Sequence, residues 1–311
     1  MSERSELFTT KKPKTVKIKL TAAEKEQVLK NLSTLNPLTD KAFKIALSRE
    51  AMFRLVTKEI TGEEIGEGKF NYNGEISFTV RGKKVIPDVL VNTEKEWIDM
   101  EGKQETSKFP FERHLHYWAA IYAQSLTEGM EYKDLLPVTV IVIYKDKDAC
   151  SLIEESTLGG MLSIRAKNNH LRLIAVNAAM WRSAKSNSLR MYLSLLRHGL
   201  VSDVRQKLFE GIDFTTTEAS YIYEAVRESC AKSLLELSRE KGDTKMSILY
   251  EKFITEEEEK VAKSEGRAEG RAEGEAIGMA KVYYNEMKLS VDEISKKVGL
   301  SVDEVKKILK L

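Results

Sequence analysis

The sequence predicts an α/β fold in which a central mixed sheet is flanked by helices and followed by a helical C-terminal extension. In Val85–Gln104, two runs rich in Val, Ile and Trp are joined by the polar Asn92–Lys95, which is typical of a β-hairpin. Pro137–Tyr144 is a continuous β-branched run, as found in strands buried on both faces. Between these strands, Phe111–Leu126 has the apolar spacing of a helix.

Composition narrows the class of protein. The 311 residues carry a net charge of +2, so nucleic-acid binding would depend on local basic patches rather than on bulk charge. Cys150 and Cys230 are far apart and form no disulfide pattern. We see no secretory signal and no apolar stretch near the ~20 residues of a membrane span, so we expect a cytoplasmic protein.

Changes in composition along the chain predict five parts. The helical pattern from Trp181 onward lacks a catalytic constellation, EGRAEGRAEGEAIG repeats every four residues, and LSVDEISKKVG is nearly repeated as LSVDEVKKILK. The parts are a basic arm (1–20), a core (21–180), a helical extension (181–254), a charged Glu/Gly/Arg-repeat helical linker (255–288) and a small helix-turn-helix-like tail (289–311). The arm either contacts phosphates or is solvated. The tail either contacts DNA or serves as a packing or dimer module.

Helix starts are marked by capping residues. Thr21–Glu24 fits a capping box, and Ser290 and Ser301 have Glu three residues later. Thr39–Ile60 reads as one helix with Thr39 as N-cap. Asp40 lies in its first turn, where the helix dipole favours an acid whether or not it has a further role.

The hairpin gathers acidic residues on one face. If its turn is centred between Thr93 and Glu94, Asp88 lies opposite Asp99 and shares a face with Glu101 and Lys103. Crowded carboxylates are unfavourable unless compensated, and Mg²⁺ favours such oxygen ligands. The competing interpretation is a solvated strand surface.

Pro87-Asp88, followed after twelve residues by Glu101-Gly102-Lys103 on a hairpin, resembles the PD-(D/E)XK nuclease core. The surroundings resemble the mainly bacterial Rpn (recombination-promoting nuclease) and transposase family over roughly Leu35–Tyr144. The matching residues are Leu38-Thr39-Asp40-Lys41-Ala42-Phe43-Lys44, Phe111, Arg113, Tyr117, Tyr122, Gly129, Tyr132 and Leu135-Leu136-Pro137-Val138. Many members carry Gln where this chain has Lys103, and an alternative alignment places Gln104 at the motif position.

The resemblance implies a PD-(D/E)XK, restriction-endonuclease-like core and a metal-dependent DNA endonuclease of low sequence specificity. Asp88 and Glu101 would hold Mg²⁺, with Mn²⁺ as an alternative, while Lys103 and Asp40 would assist catalysis. Arg113, Tyr117 and Gln104 would support the site or bind phosphate; Arg113 either binds a phosphate or braces a carboxylate. The alternative is an inactive nuclease fold acting as a DNA-binding or protein-interaction module. We expect DNA as partner and homo-oligomers formed through the helical C-terminal region.

Overall fold

The computed structural model describes residues 19–66, 68–71, 78–80, 83–103, 111–126, 129–146, 148, 151–157, 170–200, 211–213, 216–309 and 311. Almost all of the predicted basic arm, together with Gln104 and Cys150, lies outside these ranges. The described residues form a mixed sheet flanked by helices, which confirms the predicted fold class. No helix among them is both long enough and apolar enough to cross a membrane.

Before the sheet, the chain forms α1 (Ala22–Thr34), α2 (Asp40–Leu47) and α3 (Glu50–Thr61). The capping box predicted at the start of α1 is confirmed. The prediction of one helix from Thr39 to Ile60 is wrong, because the backbone of Arg49 is extended, with φ −81° and ψ 119°, and starts a new helix. The Arg49 guanidinium pairs with the buried Glu228 of the C-terminal region, a distant contact that a local pattern does not reveal.

The main sheet has six strands in the order β1-β4-β5-β6-β8-β7, and β2 and β3 form a separate ribbon. The central strands β5, β6 and β8 are parallel, and the flanking strands are antiparallel. Every residue of β6 is buried, as its β-branched sequence predicts. The strands are β1 (Gly68–Asn71), β2 (Phe78–Val80), β3 (Lys83–Val85), β4 (Val89–Thr93), β5 (Trp97–Gly102), β6 (Val138–Tyr144), β7 (Ile153–Thr157) and β8 (Leu171–Asn177).

The two faces of the sheet contribute to different cores. Helix α4 (Phe111–Gln124) connects the parallel strands β5 and β6 and packs over a small cluster that includes Leu90, Val140 and Val142. The opposite face packs into a much larger cluster together with helices that precede and follow the sheet along the chain. Because strand side chains alternate between faces, Asp99 and Glu101 point to the α4 side, whereas Met100 points to the large core.

The C-terminal region is helical. It comprises α5 (Asn187–His198), α6 (Thr217–Glu240), α7 (Thr244–Asn285), α8 (Val291–Val298) and α9 (Val302–Leu309). The boundary predicted between 254 and 255 falls inside α7, and the buried Glu257 and Val261 lie beyond it. No break in secondary structure marks the division between extension and linker in this helix, so the division stays a prediction.

The tail forms two short helices that pack on the end of α7. Ala280, Ile294 and Val305 form its small core, and Gly299 ends α8 with a φ of 73°, which glycine adopts without strain. The hydrogen bonds of both predicted capping boxes, Ser290 with Glu293 and Ser301 with Glu304, are present. This arrangement has the connectivity of a helix-turn-helix.

Candidate active site

The β4–β5 hairpin is present, with a register different from the predicted one. Leu90, rather than Asp88, lies opposite Asp99, because the turn is one residue later than expected. The Thr93 hydroxyl accepts hydrogen bonds from the N–H groups of Lys95 and Glu96 and thereby closes the turn. A shift of two residues preserves the faces of a strand, so the prediction that Asp88, Asp99 and Glu101 share a face survives the error.

Asp88 and Glu101 are buried, and a backbone N–H holds one oxygen of each carboxylate. The Asp88 N–H donates to Glu101 Oε1 at 2.8 Å, and the Gly102 N–H donates to Asp88 Oδ2 at 3.0 Å. Each carboxylate therefore has one oxygen fixed by a main-chain N–H and one that is not. Burial, followed by the charge of Asp88, raises the pKa of Glu101 above its ordinary range.

Two lysine ammonium groups meet this pair. Lys103 Nζ donates to Glu101 Oε2 at 2.7 Å and lies 3.6 Å from Asp88 Oδ2. Lys44 Nζ, from α2, lies 3.4 Å from Asp88 Oδ1. Burial lowers the pKa of Lys103, but the charges of Glu101 and Asp88 outweigh it and the net change is upward. Lys103 is therefore cationic in this site.

Asp99 is the third carboxylate on this face. It is 0% exposed, and neither of its carboxylate oxygens has a hydrogen-bond partner within the described part of the chain. Burial raises the pKa of Asp99 well above its ordinary value, and the charges of Glu101 and Asp88 add to the effect. A cation that enters this site would therefore meet a carboxylate without a hydrogen-bond partner among the described residues.

Helix α2 is positioned by the glycine of the motif. A Cβ on Gly102 would lie 3.0–3.1 Å from ring atoms of Phe43, so glycine lets this helix pack against the end of β5 without a shift of the ring. Lys44 is the next residue after Phe43. Position 40, where α2 begins, is one turn before Lys44 on the same helix face. The side chain of Asp40 lies outside the described atoms, so its predicted role stays a prediction.

Helix α4 brings Arg113, Tyr117 and His114 to the same end of the sheet. Arg113 Nη2 donates to the Tyr117 hydroxyl at 2.9 Å. Burial lowers the pKa of Arg113, but the hydrogen bond to Tyr117 and the charges of Tyr117, Glu101 and Asp88 outweigh it and the net change is upward. Burial, together with the charges of Lys103 and Arg113, lowers the pKa of His114 to about 4, so this ring is neutral near pH 7.

The structure thus brings together Asp88, Glu101 and Lys103, as the sequence predicts. Arg113 and Tyr117 lie at the same end of the sheet. Gln104 lies outside the described residues, and its place at the motif position is not tested. Sequence reasoning gave Lys44 no role in the site, although Lys44 is part of a segment that carries the family resemblance. The available signal was its position four residues after Asp40, which places both on one face of an amphipathic helix.

Asp88 and Glu101 present hard carboxylate oxygens beside the unpartnered Asp99, a donor set that fits a divalent cation such as Mg²⁺. No group of three or more His, Cys, Asp or Glu side chains in the described ranges has the arrangement of a metal cluster. Two carboxylates are sufficient for Mg²⁺, which usually keeps several waters and takes further oxygens from substrate phosphates.

A mixed sheet flanked by helices, with Pro-Asp directly before β4 and Glu-x-Lys at the end of β5, defines a PD-(D/E)XK nuclease-like fold. Residues 37–173 match the family model described as PD-(D/E)XK nuclease family transposase. This segment is therefore similar to the PD-(D/E)XK nuclease family of transposases, which agrees with the resemblance seen in the sequence. No curated protein and no solved structure matched the chain in the corresponding comparisons.

Proposed function

We propose that the protein is a metal-dependent DNA endonuclease that hydrolyses phosphodiester bonds with low sequence specificity, in the manner of recombination-promoting nucleases. The observation that carries the proposal is the arrangement of Asp88 and Glu101. A backbone N–H holds one oxygen of each carboxylate, and the other oxygen faces a cation. The family match of residues 37–173 supports the nuclease class.

Asp88 and Glu101 would hold Mg²⁺, or Mn²⁺ in its place, through the two oxygens that the backbone leaves open. The bound ion would supply an activated water and stabilise charge on the phosphoryl oxygens. Lys103, kept cationic by the two acids, donates hydrogen bonds to the attacking water or to the phosphate. Asp40, at the start of α2, would assist placement of the metal or the water.

Arg113 and Tyr117 support the site from α4. Their mutual hydrogen bond fixes the guanidinium near the two acids, where it braces the carboxylates or receives a phosphate. The cellular setting that we propose is the bacterial cytoplasm, where DNA is the partner. The helical C-terminal region would supply contacts between copies of the chain.

The test is cleavage of supercoiled plasmid by purified protein with Mg²⁺ and with EDTA. We expect nicking with Mg²⁺ only, loss to background for Asp88→Ala, and a decrease of about 100- to 1000-fold for Lys103→Ala, since a transition-state donor is removed. Lys133→Ala, which removes an exposed lysine paired with Glu131, is the control and should cleave like the wild type. Equal cleavage by all variants, or none by the wild type with Mg²⁺ or Mn²⁺, would favour the binding-module alternative.

A further inference from the structure

Lys44 occupies the one oxygen of Asp88 that the backbone leaves open. Asp88 Oδ2 accepts from the Gly102 N–H, and Lys44 Nζ lies 3.4 Å from Oδ1. Lys103 has the matching position on Glu101, where Oε1 accepts from a backbone N–H and Oε2 accepts from Nζ. The oxygens that a metal ion would take are therefore the oxygens that the two ammonium groups now contact.

We infer that Lys44 is a second phosphate-binding lysine of this site, which neutralises Asp88 Oδ1 until a divalent cation takes that oxygen and then contacts the phosphate of the DNA. The inference rests on the proposed nuclease function and adds a residue to its substrate-binding machinery.

The position of α2 allows this exchange. The Phe43 ring packs against Gly102 and fixes the helix beside the motif. The Lys44 side chain is 28% exposed, compared with 10% for Asp88, so it lies between the buried acid and the solvent from which DNA would approach. A lysine side chain has four flexible methylenes and a compact charge, so its ammonium moves to a new anion without backbone movement.

Charge interactions predict that Lys44 has opposite effects on metal binding and on DNA binding. An ammonium within a few ångströms of a metal ligand repels an incoming cation, so Lys44 weakens metal binding in the absence of DNA. A phosphate brought to the site adds negative charge, and Lys44 then strengthens DNA binding. A residue with only a structural role would weaken both when it is removed, or neither.

The first measurement is calorimetric titration of metal-free full-length protein with Mn²⁺. We expect Lys44→Met to bind Mn²⁺ severalfold more tightly than the wild type, because a competing charge is gone. Lys41→Met is the matched control. Lys41 lies on the same helix but pairs with Glu236 and Glu240 away from the site, so its removal should leave Mn²⁺ affinity unchanged.

The second measurement is the affinity of a short DNA duplex in Ca²⁺, followed by fluorescence anisotropy at several salt concentrations. Loss of one phosphate contact in Lys44→Met should lower the slope of log affinity against log salt by about one. Lys44→Arg keeps the charge and should retain both wild-type values. If Lys44→Met melts at a lower temperature than the wild type, the same comparison is made between Lys44→Gln and Lys44→Arg.

Unchanged or weaker Mn²⁺ binding without the lysine, or a wild-type salt slope, would overturn the role of Lys44. This result is distinguishable from failure of the nuclease proposal. Absence of plasmid cleavage removes the activity, whereas the two binding measurements require no cleavage and report on Lys44 alone.

Discussion

Two sets of buried acids in this molecule are neutralised in different ways. In the helical region, Glu228 and Glu257 are both 0% exposed, and each is contacted by two basic side chains. Glu228 pairs with Arg49 and with Lys232, the latter at 2.6 Å. Glu257 pairs with Arg227 and with Lys260, the latter again at 2.6 Å. Each acid thus has a basic group within ion-pair distance of both carboxylate oxygens, although Glu228 Oε1 makes no hydrogen bond among the described residues.

The candidate site lacks that balance. Within the described residues, the ammonium groups of Lys44 and Lys103 contact Asp88 and Glu101, and the guanidinium of Arg113 interacts with the charges of the same two acids. Asp99 makes no hydrogen bond in this part of the structure, and its pKa is raised first by burial and then by its acidic neighbours. The carboxylate without a hydrogen-bond partner is located where the nuclease motif lies.

The comparison separates a structural ion cluster from a candidate functional one. A buried acid that serves only the fold is favourable when its partners come from the chain itself. A buried acid without a partner keeps a free-energy penalty unless it is protonated or a cation from outside binds. The clusters are also linked, because Arg49 lies within the family-matched segment and follows α2, whereas Glu228 lies in α6 beyond that segment.

Removal of an acid from the balanced cluster should have the largest effect on stability. Glu228→Ala removes the buried anion that Arg49 and Lys232 share, although Lys232 keeps its pair with Glu258. We therefore expect the free energy of unfolding to fall by about 3–5 kcal/mol, measured by urea denaturation in EDTA.

The control is Glu251→Ala, which breaks the exposed pair with Arg239. A solvent-exposed pair contributes about 0–1 kcal/mol. Equal losses for the two variants would contradict the view that the helical cluster is a buried, self-neutralised element of the fold.

Asp99→Asn should have the opposite effect. The folded-state pKa of Asp99 lies above its unfolded value of about 3.8, so the unfolded chain loses its proton first and the wild type loses stability as pH rises through the folded pKa. In EDTA, the variant should match the wild type near pH 3.5 and exceed it at pH 7 by on the order of 1–2 kcal/mol.

The measurement for Asp99 is the free energy of urea unfolding from pH 3.5 to 8. Glu154→Gln, which alters an exposed carboxylate of β7, serves as control and should show a flat difference. A flat difference for Asp99→Asn as well would mean that the Asp99 carboxylate is compensated in the folded protein.

The sequence was sufficient to predict those features that depend on short-range periodicity. The alternation of β5 placed Asp99, Glu101 and Lys103 on one face, and the β-branched run identified β6. The face assignment held although the register was wrong by two residues, since the strand period is two. A register error of one residue would have dispersed the site.

Features that depend on contacts distant in sequence could not be predicted. The break between α2 and α3 accompanies the pairing of Arg49 with Glu228, 179 residues away. Lys44 reaches Asp88 because Phe43 packs on Gly102, and that contact requires the hairpin and α2 to be folded together. No local pattern encodes either contact.

The most direct test of the central claim is calorimetric titration with Mn²⁺ of the metal-free wild type, Asp88→Asn and Glu228→Gln. The unbalanced site should bind a cation and the balanced cluster should not. The wild type and Glu228→Gln should therefore bind one Mn²⁺ with similar affinity, and Asp88→Asn should bind it at least about tenfold more weakly, since a ligand is lost. Wild-type affinity in Asp88→Asn, or loss of binding only in Glu228→Gln, would contradict the account.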